Sequence, residues 1–159
     1  PDGLVFVEAG WNWRLSNVHA ALATGQMEGL AAAIEERRRV AADYRTALSG
    51  VNGVVVPAVH GDPAHTFQSF VVLVAPGVDR TRVIRGLRAR GVESTLGSYA
   101  IHLQPVYRRH FPDLFAIPRP ASAAAFARSL ALPLYPQMTL ADVKRVTAAL
   151  HAAVEESWR

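Results

Sequence analysis

The sequence predicts an α+β domain, or α/β under looser definitions, in which helices pack on one face of a small, mostly antiparallel sheet. Three observations lead to this prediction. A long stretch with helical periodicity follows residue 16, short β-branched and aromatic runs come after it, and proline and glycine separate those runs from further helical segments. After the first helix the expected order is strand, strand, helix, strand, helix, strand, helix. The 159 residues are enough for one domain with its own core.

The first helix is predicted over residues 17–48. Ser16 suits the N-cap because its hydroxyl can accept from the free N–H groups of the first turn. Apolar residues recur along the segment at helical spacing: Val18, Leu22, Leu30, Ile34, Ala41, Tyr44 and Leu48. Gly25 and Gly29 lie inside the segment, and each costs on the order of 1 kcal/mol relative to alanine, so we expect a bend or a close packing partner there. Gly50 is expected to end the helix.

Shorter elements are predicted beyond the first helix. The predicted strands are residues 54–56, 66–74 and 92–96, followed by an edge strand at residues 130–134. The predicted helices are residues 80–90, a short turn near 106–110, residues 121–128 and residues 140–156. Asp79 and Thr139 suit N-caps, and Gly91 suits a C-terminal stop. Residues 1–15 are expected to form a loop, with a short strand near residues 4–7.

The composition argues against several classes of protein. Cysteine is absent, so the chain has no disulfide framework and no thiolate metal site. The longest apolar runs, such as residues 70–75, are too short to span a membrane, and no signal-peptide pattern is visible. The absence of cysteine fits a cytoplasmic protein, which is the expected location. The net charge is +4, but the basic residues are dispersed and no nucleic-acid-reading motif occurs, so a solvated basic face is favoured over a nucleic-acid interface.

Two segments carry residues that could bind a ligand. Asn12 and Arg14 precede the first helix, where an amide and a cation beside a helix N-terminus can hold a phosphate. The alternative for this segment is a capping loop held by its two tryptophans. Tyr99, His102 and Gln104 lie in a loop after a strand, where they could bind hydroxyls or an acidic group. The alternative for this loop is a histidine that makes structural hydrogen bonds.

Other polar residues are weaker candidates. His60 and His65 bracket Asp62, but a loop of this kind does not constrain the geometry that a metal requires. His19 is expected to pack near the start of the first helix. Lys144 is the only lysine and is expected to be solvated on the last helix, whereas a Schiff-base lysine needs a desolvated pocket.

Four blocks of sequence, occurring in the same order, carry a resemblance to a known family. The first reads Gly-Trp-Asn-Trp-Arg-Leu-Ser at residues 10–16 and precedes paired alanines and Gln26-Met27. The others are residues 39–44, residues 98–107 with their His-Leu-Gln-Pro core, and residues 130–134. Together these blocks resemble the DegT/DnrJ/EryC1/StrS family of sugar aminotransferases, which depend on pyridoxal 5'-phosphate (PLP) and have the aspartate-aminotransferase fold. The two tryptophans of the first block are bulkier than the tyrosines usual in the family.

The resemblance implies a fold and a set of site residues. The chain would be the small C-terminal domain of a fold-type I aminotransferase, and the large domain, upstream of residue 1, would carry the lysine and the aspartate that hold PLP. These enzymes are homodimers with active sites at the interface. Asn12 would reach the phosphate of the partner's PLP, and Arg14 would support the same loop. Tyr99, His102 and Gln104 would border the sugar-nucleotide substrate.

The expected function follows from this resemblance. The whole protein would transfer an amino group, with glutamate as the expected donor, to a keto-sugar nucleotide. This chain alone would not be competent, because it holds neither an electron sink nor a base. The alternative is a non-catalytic interaction or dimerisation module that kept the fold. An exposed apolar patch on the first helix is expected for a C-terminal domain and for a module that binds a partner. A module that folds separately should instead carry polar residues at those positions.

Overall fold

The computed structural model describes residues 5–8, 10, 15–58 and 65–158. In chain order the helices are α1 (Asn17–Met27), α2 (Leu30–Ala47), α3 (Arg80–Ala89), α4 (Pro105–His110), α5 (Pro112–Phe115), α6 (Pro120–Arg128) and α7 (Leu140–Ser157). The strands are β1 (Val54–Val55), β2 (Phe70–Val74), β3 (Thr95–Leu96) and β4 (Ser129–Leu132). A 3-10 turn at Ile101–Leu103 lies between β3 and α4. This arrangement confirms the predicted α+β class.

The predicted first helix is two helices. The break falls at Glu28 and Gly29, where the Gly29 N–H donates to the carbonyl of Gln26 at 3.2 Å and Gly29 becomes the N-cap of α2. The expectation was a bend or a close packing partner at the two glycines; the chain breaks at Gly29, while Gly25 remains inside α1. No residue of α1 is buried, so no packing against the described part of the chain holds the helix straight through the glycine.

The sheet has the strand order β1-β2-β4-β3, and every neighbouring pair is antiparallel. The prediction of an edge strand at residues 130–134 is therefore wrong, because β4 pairs with β2 on one side and with β3 on the other. Pro133 comes directly after the last residue of β4 and so removes no donor from the ladder. The edges are instead β1 and β3, whose two residues each offer little free edge.

The second strand is shorter than predicted, because the Arg37 side chain hydrogen-bonds carbonyl groups at the start of the predicted segment. Phe67 adopts a positive φ of 47°, which no regular strand contains. The Arg37 Nη1 donates to the carbonyls of Phe67 at 3.2 Å and of Gln68 at 3.1 Å. Regular pairing begins only at Phe70. The tertiary contact from α2 therefore overrides the β-propensity of this segment.

The helices α2, α3 and α7 cover one face of the sheet. Their buried residues form a single cluster with alternate strand residues, which lie on the same face of a sheet. The strand members of the cluster are Phe70, Val72, Val74, Leu130 and Leu132. Helices α3 and α7 approach closely at Gly86, where a Cβ would lie 2.9 Å from the Cβ of Ala153. This contact is the physical reason for a glycine within α3.

The predicted caps are confirmed. The Ser16 hydroxyl accepts from the N–H of His19, and the Asp79 carboxylate accepts from two N–H groups of α3. Thr139 and Asp142 form a capping box, in which each side chain accepts from the backbone N–H of the other. The hydrogen bonds from the side chain and the backbone of Thr139 lower the pKa of Asp142.

Tyr44 makes the stability of the fold depend on pH. Its side chain is fully buried, its hydroxyl donates to the Pro133 carbonyl at 2.8 Å, and its ring stacks on Phe70 at 4.8 Å. Burial, followed by the charges of Tyr135 and Asp142, raises the pKa of Tyr44 above its usual value of 10.0. Because the unfolded chain then loses this proton before the folded chain does, the stabilisation is complete below about pH 10 and is lost as the pH rises further.

We therefore expect the free energy of unfolding to fall above about pH 10 by up to about 1.4 kcal/mol per pH unit. The Tyr44→Phe variant should lack this component and should be less stable by about 1 kcal/mol at pH 7, because the Pro133 carbonyl loses its donor. Urea unfolding of both proteins between pH 7 and 11 measures the difference. Parallel pH profiles for the two proteins would contradict the assignment.

Candidate functional site

The loop that carries Tyr99, His102 and Gln104 begins with a close contact between backbone and sheet. Gly97 follows β3, and its N–H donates to the Ser129 carbonyl at 3.2 Å. A Cβ on Gly97 would lie 2.6 Å from Val71 Cγ1 and 2.8 Å from Ser129 Cβ. Only glycine lets the chain leave the sheet at this distance. The start of the loop is therefore fixed by β2 and β4.

The 3-10 turn then places His102 and Gln104 on the protein interior. The N–H groups of Leu103 and Gln104 donate to the carbonyls of Ala100 and Ile101, both at 3.0 Å. The Arg108 Nε donates to the His102 carbonyl at 3.2 Å. His102 is only 8% exposed, and its imidazole makes no hydrogen bond within the described part of the chain. Its backbone carbonyl is thus committed to the contact with Arg108.

Gln104 uses its side chain to hold the N-terminal segment. The residue is 6% exposed, and its Oε1 accepts from the Phe6 N–H at 3.0 Å. The Phe6 carbonyl in turn accepts from the Val106 N–H at 3.1 Å. The structure thus joins residues 5–8 to the loop, a contact that the expected short strand near residues 4–7 did not suggest. Residues 5–8 are not in a strand.

Tyr99 stands in a row of aromatic rings. The Phe6 ring meets it edge-on at 5.8 Å, and the Phe126 ring stacks beside it at 6.1 Å. The Arg80 guanidinium lies 5.5 Å from the centre of the Phe126 ring and also donates to the Phe126 carbonyl. Burial lowers the pKa of Arg80, and the nearby Asp79 carboxylate opposes that shift. The row links the loop to α3 and α6.

Comparison with known proteins identifies the family. The sequence model of the DegT/DnrJ/EryC1/StrS aminotransferase family matches residues 3–151. The chain belongs to this family. The resemblance carried by the four blocks of sequence is thereby confirmed.

Solved structures agree with this assignment. DesV from S. venezuelae is 26% identical, with a TM-score of 0.74 over 89% of this chain and 37% of DesV. PseC from Helicobacter pylori, an aminotransferase involved in the biosynthesis of pseudoaminic acid, is 15% identical, with a TM-score of 0.78 over 92% of this chain and 39% of its own. Spr1654 from Streptococcus pneumoniae, in its PLP-form, is 17% identical, with a TM-score of 0.77 over 90% of this chain and 36% of its own. The present chain thus spans little more than a third of the length of these proteins.

The residues described do not form a covalent site for PLP. Lys144, the only lysine of this aminotransferase-family chain, is exposed on α7 beside Thr147 and Ala148. A lysine that binds an aldehyde cofactor has to be desolvated or otherwise activated, so Lys144 does not fit that role. The predicted phosphate-binding residues, Asn12 and Arg14, lie outside the described residues.

Of the remaining polar candidates, His65 and His19 have local partners. His65 Nδ1 accepts from the Phe67 N–H at 3.0 Å, and within the described ranges no three acidic or histidine side chains form a metal cluster; His60 and Asp62 lie outside those ranges. His19 contacts Ser16 Oγ at 3.1 Å and belongs to the cap of α1.

No helix in the described part of the chain has the length and hydrophobicity of a membrane-spanning segment.

Sequence reasoning located the loop but missed its neighbours. Phe6, Phe126 and Arg80 were not candidates, although all three contact the loop or its aromatic row. They come from the N-terminal segment, α6 and α3, which are far apart along the chain. No local sequence pattern predicts such residues, because they are neighbours of the loop only in the folded structure.

Proposed function

We propose that this chain is the C-terminal domain of a PLP-dependent aminotransferase that transfers an amino group from glutamate to a keto-sugar nucleotide. The observation that carries the proposal is the family match over residues 3–151. The small share of each related structure that the chain covers supports a larger whole protein with a separate cofactor-binding domain. When bound there, PLP would supply the electron sink that transamination needs.

Within this proposal the loop after β3 serves the substrate. The sugar nucleotide is bordered by Tyr99, His102 and Gln104. Of these, His102 is assigned the hydrogen bond to the substrate, because its ring nitrogens have no partner in the described residues. Asn12 reaches the phosphate of PLP bound by the partner subunit, and Arg14 supports the same loop. The chain by itself is not competent, since its single lysine is solvated on α7.

The whole protein would be a cytoplasmic homodimer, and α1 supports an assembly larger than this domain. The helix contains no buried residue, yet its apolar side chains Val18, Leu22 and Met27 are each more than half exposed. Leu15 and Leu30 extend this surface at the two ends of α1. Exposed apolar surface of this kind is usually covered by another domain or subunit.

The test uses the full-length product of the gene. The purified protein should contain PLP, and glutamate should convert it to the pyridoxamine form, which absorbance follows directly. A nucleotide-linked keto-sugar should return the PLP form, while the same sugar without its nucleotide should not. The 159-residue chain, given PLP and glutamate, should show no conversion. A full-length protein that binds no PLP but still dimerises would replace the proposal with the interaction module.

A further inference from the structure

We infer that Gln104 is a positioning residue, which acts by fixing the N-terminal segment against the loop that carries Tyr99 and His102. The inference rests on the proposed function for its meaning in catalysis. The structural part rests on a contact between residues 98 positions apart: Gln104 Oε1 accepts from the Phe6 N–H at 3.0 Å. A substrate-binding role alone does not explain why this carboxamide oxygen faces a backbone N–H.

Two hydrogen bonds hold the backbone of Phe6. The Phe6 N–H bonds the Gln104 side chain, and the Phe6 carbonyl accepts from the Val106 N–H at 3.1 Å. Both backbone groups of Phe6 are thus hydrogen-bonded, one by the side chain of a loop residue and the other by the first turn of α4. Gln104 and Val106 are both buried, so water competes weakly for these bonds.

Gln104 is itself held rigidly. Its N–H donates to the Ile101 carbonyl at 3.0 Å, and its carbonyl accepts from the N–H groups of Tyr107 at 3.1 Å and Arg108 at 3.2 Å. Phe6, in contrast, is 44% exposed, so burial contributes little to its position. Its ring contact with Tyr99 at 5.8 Å adds a third point of attachment. The rigid partner is therefore the loop, and the segment that it positions is residues 5–8.

The consequence concerns the residues that follow Phe6. Asn12 and Arg14 lie between Phe6 and Ser16, which caps α1. Gln104 thereby joins Phe6, which precedes those two residues in the chain, to the loop proposed to border the sugar nucleotide.

The experiment uses full-length protein with three substitutions. Gln104→Met keeps the length of the side chain but removes the acceptor, Gln104→Glu keeps an acceptor oxygen, and Gln137→Met makes the same replacement at an exposed glutamine in a turn. The first readout is amide hydrogen exchange in peptides that cover residues 5–8. In Gln104→Met this exchange should become about tenfold faster, as expected for the loss of one hydrogen bond, with the core helices unchanged. Gln104→Glu and Gln137→Met should exchange like the wild type.

The second readout is steady-state kinetics of the wild-type and variant enzymes. In Gln104→Met, kcat with the keto-sugar nucleotide should fall about tenfold, because a misplaced loop slows the reaction. The KM for the sugar nucleotide should change less than twofold, because the Gln104 oxygen bonds the Phe6 N–H and not the substrate. Gln104→Glu should restore most of the rate. Unchanged exchange at residues 5–8, or faster exchange throughout the domain, would overturn the inference. If the wild type transfers no amino group, the proposed function fails, and the exchange experiment alone decides the role of Gln104.

Discussion

Replacing Leu150 by alanine is expected to lower the free energy of unfolding by about 3 kcal/mol. Leu150 lies on α7, its side chain is 0% exposed, and it belongs to the cluster shared by the helices and the sheet. The truncation removes the transfer free energy of the lost methyl groups and leaves a cavity that the close packing of α3 and α7 prevents from collapsing. Urea denaturation followed by circular dichroism measures the loss.

The matched control is Leu22→Ala on α1. It makes the same chemical change within a helix, but Leu22 is 63% exposed, so the change in this chain should be within about 0.5 kcal/mol. In the full-length protein the same substitution should cost more, because another domain or subunit would then cover α1. Equal losses for Leu22→Ala and Leu150→Ala in the 159-residue chain would contradict the core described above.

The second large effect is expected at Gly53, in the turn that precedes β1. Its φ is +80°, and a Cβ there would lie 2.6 Å from Val154 Cγ1 and 3.3 Å from Trp158 Nε1. Val154 is buried and cannot move aside without disturbing α7. Gly53→Ala therefore combines left-handed backbone strain of about 1 kcal/mol with overpacking of about 1–3 kcal/mol.

Gly50→Ala separates these two contributions. Gly50 has a nearly identical φ of +79°, but apart from its two chain neighbours no described residue has an atom within 4 Å of the position of its Cβ. This variant should lose only the backbone contribution of about 1 kcal/mol. The difference between the two variants, measured by urea unfolding, reports the contact between the turn and the C-terminal end of α7. Indistinguishable losses would show that no such contact exists.

The candidate site was predictable only in part. The sequence located the loop after β3 and offered Tyr99, His102 and Gln104 within it, from their side-chain chemistry and from the family resemblance. It did not indicate that Gln104 would contact Phe6 or that Phe126 would stack beside Tyr99. Both contacts join parts of the chain that are brought together only when the sheet has formed.

Local chemistry in the sequence determined where three of the helices begin. Ser16, Asp79 and Thr139 cap their helices as predicted, because each cap is a hydrogen bond to an N–H two or three residues away. The family resemblance was likewise readable, since its blocks are short and contiguous.

Tertiary structure alone decided the rest. It placed β4 inside the sheet, delayed β2 until Phe70, and directed the Gln104 side chain to a backbone group 98 residues away. These features depend on which distant segments pack together. A local pattern specifies the type of an element, but the choice of its neighbours comes from burial and hydrogen bonding across the whole fold.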